Sequence, residues 1–419
     1  VKWLGFGVTH EARAYYDLSR AGSFADFKAA LNHFEAGLLN FIYAGTDGDI
    51  GYYPHSVYPI RARLDPMNPP YGVVPGDGGY EWTGASIPDE CIPQLHNPDS
   101  CRVFSANNDP AGVTANGDVL GARFYLGGTF DYGLRAREIR DRLDALSGGG
   151  ATPDDFVSMQ GDVHSVLARH FLPPLMAAVA GAPLSRAAQA LADILVSWDA
   201  EDAASETGPT VLYAWYSQLL VDVFSDDLPL TFADVATDDR LLAPTLAHLL
   251  AGESAPSKHD YLNGKSAEAV MLAALEEVAV SIPAALGPDP LAWTWGAAHT
   301  QTFDHPLGGR YNLGPVRMGG GLATLYDARY APAVNGSPVV QPDVNEASNA
   351  RIVVELLPGG VTMRSILPTG ESGVLGDTHY VDQLASWLAA RDVASPFARA
   401  DVVARTAQVT TFPAGFPGP

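Results

Sequence analysis

Three short stretches of this sequence gather the amides, carboxylates and imidazoles that could do chemistry. Residues 103–110 read VFSANNDP: a short apolar run, two adjacent asparagines, an aspartate and a proline. Asn, Asp and Pro are the usual turn residues, so the pair of amides reads first as the end of a strand. The alternative is a polar group held at a site for chemistry, and the eight residues alone leave both open. The second stretch is WGAAHTQTFDHPLG, where His299, Asp304 and His305 invite a metal reading. Their spacing fits no zinc pattern, neither HExxH nor paired CxxC occurs, and a structural role for both histidines is expected. The third is Gly370-Glu371-Ser372-Gly373, which does not match the GxSxG nucleophile elbow. Asp47 and Asp49 could open a calcium loop, but the bidentate acid expected near such a loop's end is missing and turn chemistry explains them better.

The elements that must position these residues follow from periodicity. Ala12–Leu18 reads as a helix, and a second runs from Ser23 toward Leu39, with Ser23 as cap and Phe24, Phe27, Leu31, Phe34 and Leu38 on one face. NFIYAGTDGDIGYYPH is a hairpin broken at Asp-Gly. A helix is expected over Leu134–Leu146, and Thr152-Pro153-Asp154-Asp155 gives the next one a cap, a proline at its first position and acids in its first turn. Helical periodicity dominates from there to about Ala285. Arg351–Leu357 and Val361–Leu367 alternate as an antiparallel pair. Strands, a helical block and strands again predict one α+β body, divided as residues 1–133, 134–287 and 288–419.

Composition bounds the partners. The formal charge is −23, with lysine only at positions 2, 28, 258 and 265. That argues against nucleic acid or an anionic membrane, both of which need clustered cations. No run approaches eighteen uninterrupted apolar residues, so no membrane span is expected. Cys91 and Cys101 are the only cysteines. The loop between them suits a bridge worth about 3 kcal/mol, which would point to an oxidising compartment; two free thiols are the alternative.

The order of several segments carries a resemblance. FIYAGTDGDIGYYPHSVYPIR, PGDGGYEWTGASIPDE, LHNP, SANNDP, TPDDFVSMQGDVHSVLARHFLP, WTWGAAHTQTFDHPLG, LPTGESG and HYVDQ follow one another from about Asn40 to about Trp387. Together they resemble the penicillin acylase (penicillin amidase) family of N-terminal nucleophile hydrolases. The resemblance implies an αββα four-layer sandwich, here incomplete and with a helical insertion. It also implies autocatalytic processing of a secreted or periplasmic bacterial precursor, and an N-terminal serine whose own α-amine is the base. A serine hydroxyl is a poor nucleophile until something nearby takes its proton.

This chain begins Val1-Lys2-Trp3 and looks like the large subunit from an internal point to its C-terminus. The serine and the small subunit of the same precursor would lie upstream, and the chain alone is expected to be inactive. Within it, Asn107 matches the family's oxyanion donor and Arg135 the arginine that orients it. A structural Ca2+, held by Asp118 and the carbonyl of Pro66, is a further implication; no organic cofactor is expected. The substrate would be a small acylated amine. Two other readings stand beside it: a non-catalytic relative that keeps the fold as a scaffold, and an acidic secreted carbohydrate-active protein, for which the sequence offers no nameable pair of convergent acids.

Overall fold

The computed structural model describes residues 2–112, 120–128, 130–146, 148, 150–228, 231–240, 242–251, 259–409 and 411. The chain packs as two compact units, residues 1–150 with 162–348 and residues 151–161 with 349–419. The stretch 288–419 read from the sequence is thus shared between them.

The first unit opens with helices Glu11–Leu18 and Phe24–Leu31. Ser23 caps the second, its Oγ accepting from the Asp26 N–H at 3.1 Å, which satisfies one of the orphan donors of the first turn. That helix stops well short of Leu39. The chain tightens into turns in which His33 and Phe34 N–H reach the Ala30 and Leu31 carbonyls, and Gly37 takes a φ of 82°. Phe34 is still delivered to the core, by the turn rather than the helix, where it joins Phe27, Leu31, Tyr53, Ile87 and Ile92. Leu39–Ala44 then pairs antiparallel with Ile50–His55, Ala44 opposite Ile50, and Leu95–His96 adds a third strand.

Helices Val166–Val179, Arg186–Ser197, Gly208–Phe224, Leu242–Leu250 and Ala267–Leu286 build the larger core. Gly208–Phe224 is buried on nearly every side, as an all-round apolar helix should be. Its start requires glycine, because a Cβ on Gly208 would stand 2.2 Å from Cγ of Trp198. Ala267–Leu286 is long and apolar enough to cross a membrane by length and composition. Here its Val270, Ala274, Val278 and Ile282 face lies in the core, and Trp215 Nε1 donates to the Met271 carbonyl at 3.0 Å.

The second unit is built on strands Arg351–Leu357, Gly360–Ile366 and Val393–Ser395. Helix Pro153–Gln160 packs on the first of them and begins with the expected capping box: Thr152 and Asp155 each bond the other's backbone. Among the described residues no sheet exceeds three strands, so the chain is mixed α+β with short sheets and a long helical insertion. Both cysteines are free. Cys101 takes a φ of 55° and turns its thiol toward the Asp99 carbonyl, so the bridge considered from the sequence is not made.

Candidate active site

The loop at 103–110 divides its work between the two asparagines. Asn108 makes the turn: its Oδ1 accepts from the Ala106 N–H at 3.1 Å, and the neighbouring Asp109 Oδ1 accepts from Ala111 N–H at 2.9 Å. Asn107 adopts the left-handed region at φ 61° and is exposed, a conformation that asparagine tolerates better than most residues. Its Oδ1 accepts from Arg135 Nη2 at 2.9 Å, and its Nδ2 has no partner among the described residues.

Arg135 stands in the first turn of helix Leu134–Leu146. Gly133, at φ 89°, turns the chain into that helix, and its N–H is held by Asp131 Oδ1 at 2.9 Å. Only 9% of Arg135 is exposed, and a buried guanidinium must be matched by acceptors. Besides Asn107 it donates to Asp131 Oδ2 at 3.1 Å, to the Ala106 carbonyl at 3.4 Å and to Asp327 Oδ2 at 3.4 Å.

A second buried arginine stands behind the first. Arg329 donates to Asp239 Oδ1 and to the Leu322 carbonyl, both at 2.7 Å, and its Nη1 lies 4.0 Å from Asp131 Oδ2. Burial disfavours the Arg329 charge, but Asp239, Asp327 and Asp131 outweigh it and raise the guanidinium pKa above its ordinary value. Burial pushes the Asp327 carboxyl up to about 6, with Arg135 and Arg329 restraining the rise. Asp239 is raised too, chiefly by burial, while Arg329 and a 2.8 Å bond from Tyr216 oppose the shift. The cluster thus alternates two arginines with three buried or nearly buried aspartates.

The structure therefore brings together Asn107 and Arg135. Asp118 lies outside the described residues. Pro66 sits on an exposed turn where the adjacent Asp65 carboxylate is already taken by the Met67 N–H, Asn68, Tyr80 and Arg63. Among the described residues no group of three or more His, Cys, Asp or Glu could hold a metal. His299 is fully buried between the Met318 and Ala328 carbonyls and stacks on Trp295; burial lowers its pKa to about 4. His305 Nδ1 accepts the Leu307 N–H, and Asp304 accepts from Asn312. Each has a structural partner, and they do not converge.

A sequence profile of the penicillin amidase family matches residues 1–404. This chain belongs to the penicillin amidase family. It is 27% identical to penicillin G acylase of Escherichia coli over an alignment of 284 residues that covers 62% of this chain and 32% of that protein. It is 25% identical over 410 residues to an acyl-homoserine lactone acylase of Pseudomonas putida, covering 91% of this chain and 47% of the relative. The chain thus spans a third to a half of the curated relatives it matches. Its fold matches the thermostable penicillin G acylase of Alcaligenes faecalis with a TM-score of 0.66 at 18% identity, over 98% of this chain and 74% of that one. The α+β fold of an N-terminal nucleophile hydrolase is the one expected from the resemblance.

Reading the sequence missed Asp131, Asp239, Asp327 and Arg329. Asp131 left a trace, an acid four residues before Arg135 with a glycine between them at a helix start. Asp327 and Arg329 left none, because Asp327 meets Arg135, and Arg329 meets Asp131, across nearly two hundred residues of chain.

Proposed function

We propose that this chain supplies the oxyanion-binding wall of an amidohydrolase that cleaves a linear amide through a covalent acyl-enzyme. The nucleophile is an N-terminal serine contributed from outside the residues of this chain, and its α-amine takes the hydroxyl proton. The bond from Arg135 to Asn107 carries this reading. A carboxamide can present oxygen or nitrogen, and a guanidinium N–H can be met only by the oxygen. Nδ2 is then the end left to face a substrate, and polarisation through Oδ1 makes it a better donor.

When the serine oxygen bonds to the substrate carbonyl carbon, the electron pair moves onto the carbonyl oxygen. Asn107 Nδ2 donates to that oxygen, where negative charge appears only on the way to the tetrahedral intermediate. The C–N bond then breaks, the leaving amine takes the proton from the α-amine, and water repeats the sequence on the acyl-enzyme. The chemistry calls for no organic cofactor. The substrate class is a small N-acylated amine, consistent with relatives named for penicillin G and acyl-homoserine lactones. An upstream segment or small subunit of the same precursor, freed by autoproteolysis, completes the enzyme in the periplasm or outside the cell, and this chain alone is inactive.

The test is Asn107→Ala in the intact enzyme, assayed on a chromogenic N-acyl amide. A fall in kcat of about 10²- to 10³-fold with little change in KM is expected. An unchanged kcat removes Asn107 from the mechanism. No turnover of any N-acyl amine by the wild type would favour a non-catalytic relative that keeps the fold.

A further inference from the structure

Three hydrogen bonds close a ring at Asn107. The Asp131 N–H donates to the Asn107 carbonyl at 2.9 Å; Arg135 Nη2 donates to Asp131 Oδ2 at 3.1 Å and to Asn107 Oδ1 at 2.9 Å. Asp131 thus holds Asn107 twice, directly through its backbone and indirectly through the arginine. Asp131 Oδ1 is occupied by the Gly133 N–H, so the carboxylate cannot rotate after a displaced Arg135 without losing that bond. Arg329 stands behind Oδ2, and Asp239 ties Arg329 to Tyr216 on the core helix Gly208–Phe224. A continuous polar chain therefore links the rigid core to one exposed amide.

We infer that Asp131 is a positioning residue for the hydrolase: it fixes the place and direction of the Asn107 amide, with Arg329 and Asp239 anchoring it from the core. The inference rests on the hydrolase reading of Asn107. A carboxylate is suited to this role because it accepts from Gly133 and Arg135 at once through two oxygens. An amide at the same place has one oxygen and must give up one of the two bonds.

The test is Asp131→Asn in the intact enzyme, alone and combined with Asn107→Ala. Misplacing the donor should lower kcat by about 10- to 100-fold with KM nearly constant. In the Asn107→Ala background the same change should alter kcat by less than about twofold, because the group being positioned is gone. Equal losses in both backgrounds would mean general disruption of the fold and would overturn the inference. Arg329→Lys runs the same cycle if Asp131→Asn does not accumulate folded protein. A readout independent of turnover uses asparagine labelled with 15N, the Asn107 side-chain resonance being assigned by its loss in Asn107→Ala. Asp131→Asn should shift that resonance and speed its exchange with water; an unmoved resonance overturns the inference. A wild type without turnover overturns the hydrolase reading instead, and the resonance still reports whether Asp131 holds the amide.

Discussion

Asp202 offers a stability prediction that can be worked from burial alone. Its side chain is fully buried, its backbone N–H and carbonyl are bound to Val163 and Gly320, and Oδ2 accepts from the Tyr213 hydroxyl at 2.6 Å. Burial pushes the carboxyl up to about 8, with Tyr213 and Ser165 restraining the rise and Glu201 adding to it. A carboxyl whose folded pKa lies above its unfolded value contributes stability fully only below the unfolded value, near 4. The contribution is lost as pH rises toward 8. Between pH 5 and pH 8 the folded state must hold a proton that the unfolded state releases, about three pH units or roughly 4 kcal/mol.

Asp202→Asn keeps an oxygen for Tyr213 and removes the titration. Its two N–H groups need acceptors, which sets a roughly pH-independent cost of about 1–2 kcal/mol against the variant. The stability difference, variant minus wild type, should therefore climb by roughly 4 kcal/mol from pH 5 to pH 8. Urea unfolding followed by tryptophan fluorescence at the two pH values measures it, and other titrating groups cancel in the comparison. A difference that stays flat with pH would show that the carboxylate ionises in place and would refute the burial argument.

His299 makes the opposite prediction. Its folded pKa of about 4 lies below the ordinary histidine value, so its contribution is present above about pH 6.5 and is lost as pH falls toward 4, by roughly 3 kcal/mol in all. Its imidazole resonances should not titrate between pH 5.5 and 8; a midpoint near 6.5 would mean that the ring is hydrated. Gly208→Ala should cost about 1–3 kcal/mol, because the added methyl would overlap the Trp198 ring. A melting temperature equal to wild type would show that Trp198 moves aside freely.

Much of the frame was legible in local chemistry. The Leu134–Leu146 helix, the Thr152 cap, the hairpin after Leu39 and the Arg351–Leu357 pairing are each written in a few adjacent residues. The second helix was overextended because its apolar stripe continues through Phe34 and Leu38, and a stripe does not reveal that a turn can deliver the same side chain. The site was half legible. The resemblance carried by the SANNDP order and the GLRAREI segment pointed to Asn107 and Arg135, and Asp131 lay only four residues from Arg135, but Asp239, Asp327 and Arg329 come from distant chain positions. Charges in contact only after folding carry no periodicity and no spacing.

The left-handed backbone at Asn107 narrows what this position can hold. Glycine would take the same φ without strain and keep the loop intact, but it brings no donor. Aspartate also tolerates the conformation, yet it would offer Arg135 a carboxylate and, in the proposed oxyanion role, face the reacting oxygen with like charge. Glutamine brings an amide, but on a longer stem and with a backbone less willing to enter the left-handed region. The loop and the proposed chemistry thus impose separate alphabets on one position, and asparagine is the letter they share. A saturation library selected for folding should return several residues there; one selected for turnover should return asparagine.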